Sequence, residues 1–408
     1  MATISPWKIH VPDSQIQDLK TRLSMARLPD ELESAGWDLG APLGDVKNLL
    51  EYWKNDFDWR ETEATLNQLP QYRTEIEVDG FDSVDVHFVH QKSQCANAIP
   101  LIFIHGWPGS FIEVTKIIDG LTEVNDNHPS FHVVAPSLPN HGFSSGVKKR
   151  GFAFAQYAEV CHKLMLRLGY HKYVTQGGDN GYYTSRAMSL LYPDSCLATH
   201  LNFEYAEAPQ FFSAPLLALQ HLVTPYTKRE KAGLQRTAWF KNSSSGYQDE
   251  QSTRPQTIGY ALSDSPVALL SWIYEKLHEW TDAYPWTPKE VCTWISIYWF
   301  STASPAASVR IYNEVRYDNF LTAQRLGSWI PGVKIGFSRG PMELRAYPST
   351  WRKNHGNIVF ERDHEHGGHF FAWERPNELL TDVRQMFGKG GGAFGVVPGL
   401  TGYTGESA

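Results

Sequence analysis

The chain is 408 residues long, carries a net charge of −7 and is 13% aromatic, with 14 tryptophans. That length supports a sizeable core and two or three structural units. The negative balance offers no basic face for nucleic acid or anionic membrane, so neither is an expected partner. No apolar run approaches the ~20 residues that cross a bilayer. The start, Met1-Ala2-Thr3-Ile4-Ser5-Pro6, lacks the basic-then-apolar layout of a signal peptide. Cys95, Cys161, Cys196 and Cys292 are scattered with no C-x-x-C pair. Reduced thiols in a cytoplasmic protein are expected, rather than zinc or a disulfide framework.

In chain order, residues 1–95 read as an N-terminal extension. Pro12-Asp13-Ser14 can cap a helix through Gln15–Ser24, and Leu43–Leu69 carries Leu49, Leu50 and Trp53 at helical spacing. Phe81–Val89 alternates as a strand, with Val84, Val86 and Phe88 on one face. A first core segment, 96–203, opens on the apolar run Ile99–Ile104 and continues with a second run at Phe131–Ala135. A helix is predicted over Phe154–Leu168, a strand over Lys172–Thr175 and a helix over Tyr182–Leu191. Strands alternating with helices imply a mostly parallel sheet covered on both faces, an α/β class. Residues 204–320 are helical and aromatic, with a polar loop at Asn242–Thr257, and read as a cap. Strand patterns return in 321–387 at Val333–Phe337 and Asn357–Glu361, before a final helix over Asn377–Phe387. The glycine-rich tail, 388–408, is expected to be poorly ordered or an extended arm.

Gly177-Gly178-Asp179-Asn180-Gly181 lies between the strand ending near Thr175 and the helix from Tyr182. G-x-Nu-x-G at a strand-to-helix turn is the nucleophile elbow of the α/β-hydrolases. Here the central residue is Asp179, not serine. A carboxylate attacks an electrophilic carbon directly and leaves an alkyl ester, which points to epoxides or alkyl halides. The fold orders its site as nucleophile, acid, histidine along the chain. His369, in Gly367-Gly368-His369-Phe370 after the last strand, is the expected base, with His364 and His366 close by. Glu343, in the loop after Val333–Phe337, is the expected acid that orients it, and Asp363 is its rival. The amide of Trp107, in His105-Gly106-Trp107-Pro108-Gly109-Ser110, can pair with that of Asn180 as an oxyanion hole. Gly142-Phe143-Ser144-Ser145-Gly146 also matches G-x-S-x-G, but it lies in a loop with no helix directly following and is read as a decoy.

Taken together these segments resemble the microsomal-type epoxide hydrolases, in particular their soluble fungal members, over nearly all of residues 1–387. Leu28-Pro29-Asp30, Leu50-Glu51-Tyr52-Trp53 and Phe57-Asp58-Trp59-Arg60 resemble that family's amino-terminal domain. Gly246-Tyr247, Ile311-Tyr312-Asn313-Glu314 and Pro341-Met342-Glu343-Leu344 resemble its two tyrosine segments and its acid segment. The resemblance implies an α/β-hydrolase fold with a helical cap, and Tyr247 and Tyr312 as paired donors to the epoxide oxygen. A phenol suits that task, since a pKa of about 10 keeps it protonated at neutral pH. It further implies hydrolysis of an epoxide to a vicinal diol without cofactor or metal, and a homodimer. Two positions depart from the family pattern, Asn180 and Tyr182, and both are expected to reshape the pocket.

Two other readings share parts of this pattern. A haloalkane dehalogenase uses an aspartate nucleophile with halide donors in place of the tyrosines. A binding protein, or a biosynthetic cyclase opening an epoxide with an internal nucleophile, would keep the fold without the hydrolysis. Detoxification and secondary metabolism are equally open from the sequence.

Overall fold

The structure, a computed structural model, describes residues 3–405. Among the described residues nine strands are formed: β1 (Ser5–Pro6), β2 (Gln71–Ile76), β3 (Val84–Gln91), β4 (Ile99–Ile104), β5 (Phe131–Pro136), β6 (Tyr173–Gly177), β7 (Cys196–Leu201), β8 (Ile330–Arg339) and β9 (Gly356–Asp363). They make one sheet in the order β1-β2-β3-β5-β4-β6-β7-β8-β9. From β5 to β9 every pairing is parallel, whereas β1, β2 and β3 join antiparallel at one edge. All six residues of β4 and all five of β6 are buried, the signature of central strands covered on both faces.

Most elements read from the sequence form within a few residues of their expected bounds. Helices run over Asp13–Ser24, Phe154–Arg167, Asn180–Leu191 and Pro376–Phe387. The expected cap at Asp13-Ser14 is replaced by Pro12 at the N-cap, with no side-chain hydrogen bond. Leu43–Leu69 divides into helices Leu43–Asn55 and Trp59–Leu66, because Asp58 starts the second one by accepting from the Arg60 amide. Residues before 96 do more than lead in: β1, β2 and β3 extend the main sheet. Their helices pack on the segment between β7 and β8, where Trp53 Nε1 donates to Ser296 Oγ at 3.0 Å and Arg22 pairs with Asp264 at 3.0 Å.

Between β7 and β8 the chain is chiefly helical, including Pro255–Asp264, Pro266–Glu279 and Pro288–Trp299. The polar stretch expected as a loop is helical instead: Gly246–Thr253 is followed directly by Pro255–Asp264. Its inward positions, Tyr247, Gln251 and Ser252, are polar at helical spacing, so no apolar period announced it. Gln251 is held there as acceptor for the Trp272 indole at 2.9 Å.

The tail is also ordered through residue 405, against expectation. Ala393, Val397 and Tyr403 are buried, Gly402 donates to the Asn97 carbonyl, and Ser130 donates to the Gly402 carbonyl. Positive φ at Gly390, Gly395, Gly399 and Gly402 lets successive turns return these apolar side chains to the body. Glu406, Ser407 and Ala408 lie outside the described residues.

Candidate active site

β6 ends at Gly177 and a helix begins at Asn180, leaving Asp179 in a turn at φ 51°, ψ −122°. A positive φ in a residue with a side chain costs on the order of 1–3 kcal/mol and persists only where the surroundings enforce it. The enforcement is close packing: a Cβ at Gly181 would sit 1.9 Å from the Ile104 carbonyl oxygen, so only glycine fits. The turn aims the Asp179 carboxylate away from the sheet and sets it at the N-terminus of a 12-residue helix, where negative charge is favoured.

The Trp107 amide donates to Asp179 Oδ1 at 2.8 Å, and the Asn180 amide donates to the same carboxylate. Burial pushes the Asp179 carboxyl up from its ordinary range, while His369 and these two amides pull against it. His369 Nε2 lies 3.6 Å from Asp179 Oδ2, and its Nδ1 meets Glu343 Oε1 at 2.7 Å. Burial disfavours the charged imidazole, but Glu343 and Asp179 together outweigh that and raise it to about 9. The loop carrying His369 is pinned from both sides. Its amide donates to the Trp280 carbonyl at 2.7 Å, and Glu374 accepts from the amides of Gly368 and Asp282.

Across the cavity stand Tyr247, on helix Gly246–Thr253, and Tyr312, on helix Arg310–Arg316. Asn313 ties the two helices by donating to the Ser252 carbonyl at 2.7 Å. The phenols share a hydrogen bond, and both rings lie on Trp107, with centroids at 5.1 and 5.6 Å. Burial pushes both phenols well above their ordinary value, aided by the Asp179 charge at Tyr247 and by Tyr247 and then Asp179 at Tyr312, so they stand protonated. The cavity that these tyrosines and Asp179 line measures about 420 Å³, with Phe154, Phe240 and Val315 among its apolar walls. That is the size range of small-molecule sites.

Beside Asp179 and His369 is a further small space of about 10 Å³, lined also by Gly106, Trp107 and Glu113. It is close to the room one water needs, and it is polar. Glu113 was not singled out by sequence. Burial pushes its carboxyl up to about 8, and its Oε1 has no hydrogen-bond partner. Its position three residues after Ser110 was the available signal.

The neighbouring candidates point elsewhere. His364 meets Asp382 at 2.6 Å, His366 faces Asp282 at 3.3 Å, and Asp363 pairs with Arg339 at 2.6 Å. Ser144 is buried structure: its hydroxyl donates to the Ser137 carbonyl and accepts from the His87 amide. Asn180 lines the cavity as expected. Tyr182 does not reach it. That ring packs with Phe203 and Phe337 and meets His355 at 3.0 Å, whereas Tyr183 lines the cavity.

A strained strand-to-helix turn presenting a carboxylate, with a histidine–glutamate pair against it, defines a hydrolase of the α/β class with an aspartate at the nucleophile position. Residues 4–114 match the family described as epoxide hydrolase N terminus, and residues 99–209 match the alpha/beta hydrolase fold. Epoxide hydrolase 1 of Sus scrofa is 34% identical, with 95% of this chain and 89% of that protein covered. The Aspergillus niger epoxide hydrolase structure is 35% identical, covering 93% of this chain and 95% of its own, at a TM-score of 0.80. Juvenile hormone epoxide hydrolase from Bombyx mori is 29% identical, covering 94% and 93%, at a TM-score of 0.84. The chain belongs to the epoxide hydrolase family.

Proposed function

We propose that the protein opens an epoxide to a vicinal diol in two steps through an ester on Asp179. The observation that carries this reading is the opposed arrangement about one cavity: a carboxylate held by two amides on one wall, two phenols on the other. In the first step Asp179 attacks a ring carbon, the C–O bond breaks, and Tyr247 and Tyr312 donate to the leaving oxygen. A hydroxyalkyl ester forms. In the second, His369, oriented by Glu343, takes a proton from water, and the resulting hydroxide attacks the Asp179 carbonyl carbon. The amides of Trp107 and Asn180 hold the oxyanion until the ester C–O bond breaks, the departing oxygen takes the proton that His369 holds, and the diol leaves. Space for that water lies between Asp179, His369 and Glu113. Residues 204–320 serve as the cap that supplies both tyrosines.

This chemistry is separable from direct attack of water on the epoxide. With enzyme in excess in ¹⁸O-water, the first diol is expected to carry no label, because its new oxygen comes from Asp179, which becomes labelled. Label in the first-turnover diol would mean that no ester forms.

A homodimer belongs to the same reading. Phe212, Leu216, Leu219 and Val223 form an exposed apolar stripe on and beside helix Pro215–Val223, more than half exposed at each position. Sedimentation is expected to give twice the monomer mass, and Leu216→Glu with Leu219→Glu a monomer; a native monomer would end the proposal. Among the described residues no helix is long and apolar enough to cross a membrane. A cytoplasmic location is part of the proposal, supported by four buried, unpaired cysteines. Cell fractionation tests it, and recovery with membranes would refute it.

A further inference from the structure

Arg345 stands two residues after Glu343 and lines the cavity shared by Asp179, Tyr247 and Tyr312. Its guanidinium lies 5.5 Å from the Tyr205 ring centroid and hydrogen-bonds to Tyr347. Among the described residues it has no carboxylate within 4.0 Å. Arg339 pairs with Asp363 at 2.6 Å and with Glu361 at 2.8 Å, and Arg352 lies 3.9 Å from Glu204, while Arg316, which also lines the cavity, is exposed to water. The acids that line the same cavity are otherwise placed. Asp179 accepts from the Trp107 amide and faces His369 at 3.6 Å, Asp318 accepts from the amides of Phe320 and Leu321, and Asp249 is exposed. Tyrosine faces offset part of the cost of holding a cation away from water, but only part.

From this juxtaposition we propose that Arg345 is a substrate-recognition residue, and that the substrate is an epoxide bearing a carboxylate on an apolar body. The fork of a guanidinium matches a carboxylate through two parallel hydrogen bonds, and an anion there answers the charge the fold leaves open. Phe154, Phe240, Ile311 and Val315 supply the wall for the apolar body. The inference rests on the epoxide-opening reading, and it narrows the substrate class.

The test compares an aryl-substituted epoxy acid with its methyl ester in the wild-type protein, Arg345→Met and Arg345→Lys. The wild type is expected to prefer the acid by roughly 10- to 100-fold in kcat/KM, the range of a charge-assisted hydrogen bond, mostly through KM. Arg345→Met brings the ratio to about one, and Arg345→Lys restores part of it. Should Arg345→Met fail to fold, inhibition of wild-type turnover by the matched carboxylic acid and amide lacking the epoxide gives the same answer. The acid then inhibits more strongly, and more weakly as salt rises. Equal rates for acid and ester in the wild type, equal inhibition, or an equal loss on both substrates in Arg345→Met overturns the assignment. Failure of the epoxide-opening reading looks different: no ester on Asp179 from any epoxide, charged or neutral.

Discussion

His369→Ala is expected to accumulate a covalent adduct of one epoxide mass on Asp179, whereas Asp179→Asn forms none. The two variants separate because they remove different bonds. On the proposed mechanism Asp179 supplies the electron pair that breaks the ring, and its loss should cost on the order of 10⁴-fold or more, the scale of nucleophile removal in other hydrolases. His369 acts only on the water that follows, so ring opening survives and release slows by about 10²- to 10⁴-fold. Glu113→Leu is expected to slow release alone, by roughly 10-fold, the worth of one hydrogen bond to that water. Intact-protein mass after exposure to aryl and alkyl epoxides reads all three. Wild-type turnover in His369→Ala would sink the scheme, as would an adduct in Asp179→Asn.

On the proposed mechanism the imidazole changes role between the two steps. Three carboxylates, Glu343, Asp179 and Glu113, favour its charged form, one of them the nucleophile, so the free site keeps His369 protonated to about pH 9. Forming the ester removes the Asp179 charge, and with it one of the groups raising that value. The imidazole is then released toward the ordinary range and becomes a base only once there is an ester to hydrolyse. The sign follows: lowering pH protonates His369 and blocks release before it blocks capture. In the wild type, the steady-state fraction of ester is expected to rise as pH falls from about 8 to about 6. An ester fraction that instead falls over that interval would show His369 is not the base.

Much of this site is legible in the chain because its backbone chemistry is local. The elbow needs Gly181 under Ile104, and a run of strand, glycines and helix announces it without knowledge of any distant contact. His369 and Glu343 follow from their places after β9 and β8, since the fold fixes which loops converge. The missed elements share one cause, polar residues pointing inward. β2 buries Gln71 and Thr74, β7 buries Thr199 and His200, and helix Gly246–Thr253 buries Gln251, so apolar period fails in each. Those side chains find partners outside their own element, as His87 meets Gln71 at 2.8 Å and Ser338 meets His200 at 3.0 Å. The tail departs from expectation for the opposite reason: glycine content suggests freedom, but spaced between Ala393, Val397 and Tyr403 it permits turns that bury them. Nor does sequence alone distinguish Glu113 or Arg345 from other charges, because an open partner is a property of three-dimensional packing.

Tyr247→Phe or Tyr312→Phe is expected to slow ester formation by about 10²- to 10³-fold, the cost of losing one donor aimed at a developing oxyanion. Release should be nearly untouched, since the phenols face the epoxide oxygen and not the water. The double Phe variant is expected to lose ring opening altogether, and by more than the product of the single effects. Each phenol can reorient to donate when its partner is gone, because the two already share a hydrogen bond. Burial and the Asp179 charge keep both protons on before reaction. Ester formation removes that charge as the alkoxide appears, so the phenols become better acids at the moment one is needed. One event therefore prepares both the base for water and the acid for oxygen. Pre-steady-state capture in the single and double variants measures this directly. Rapid ester formation in the double variant, with halide released from a haloalkane, would favour a dehalogenase instead.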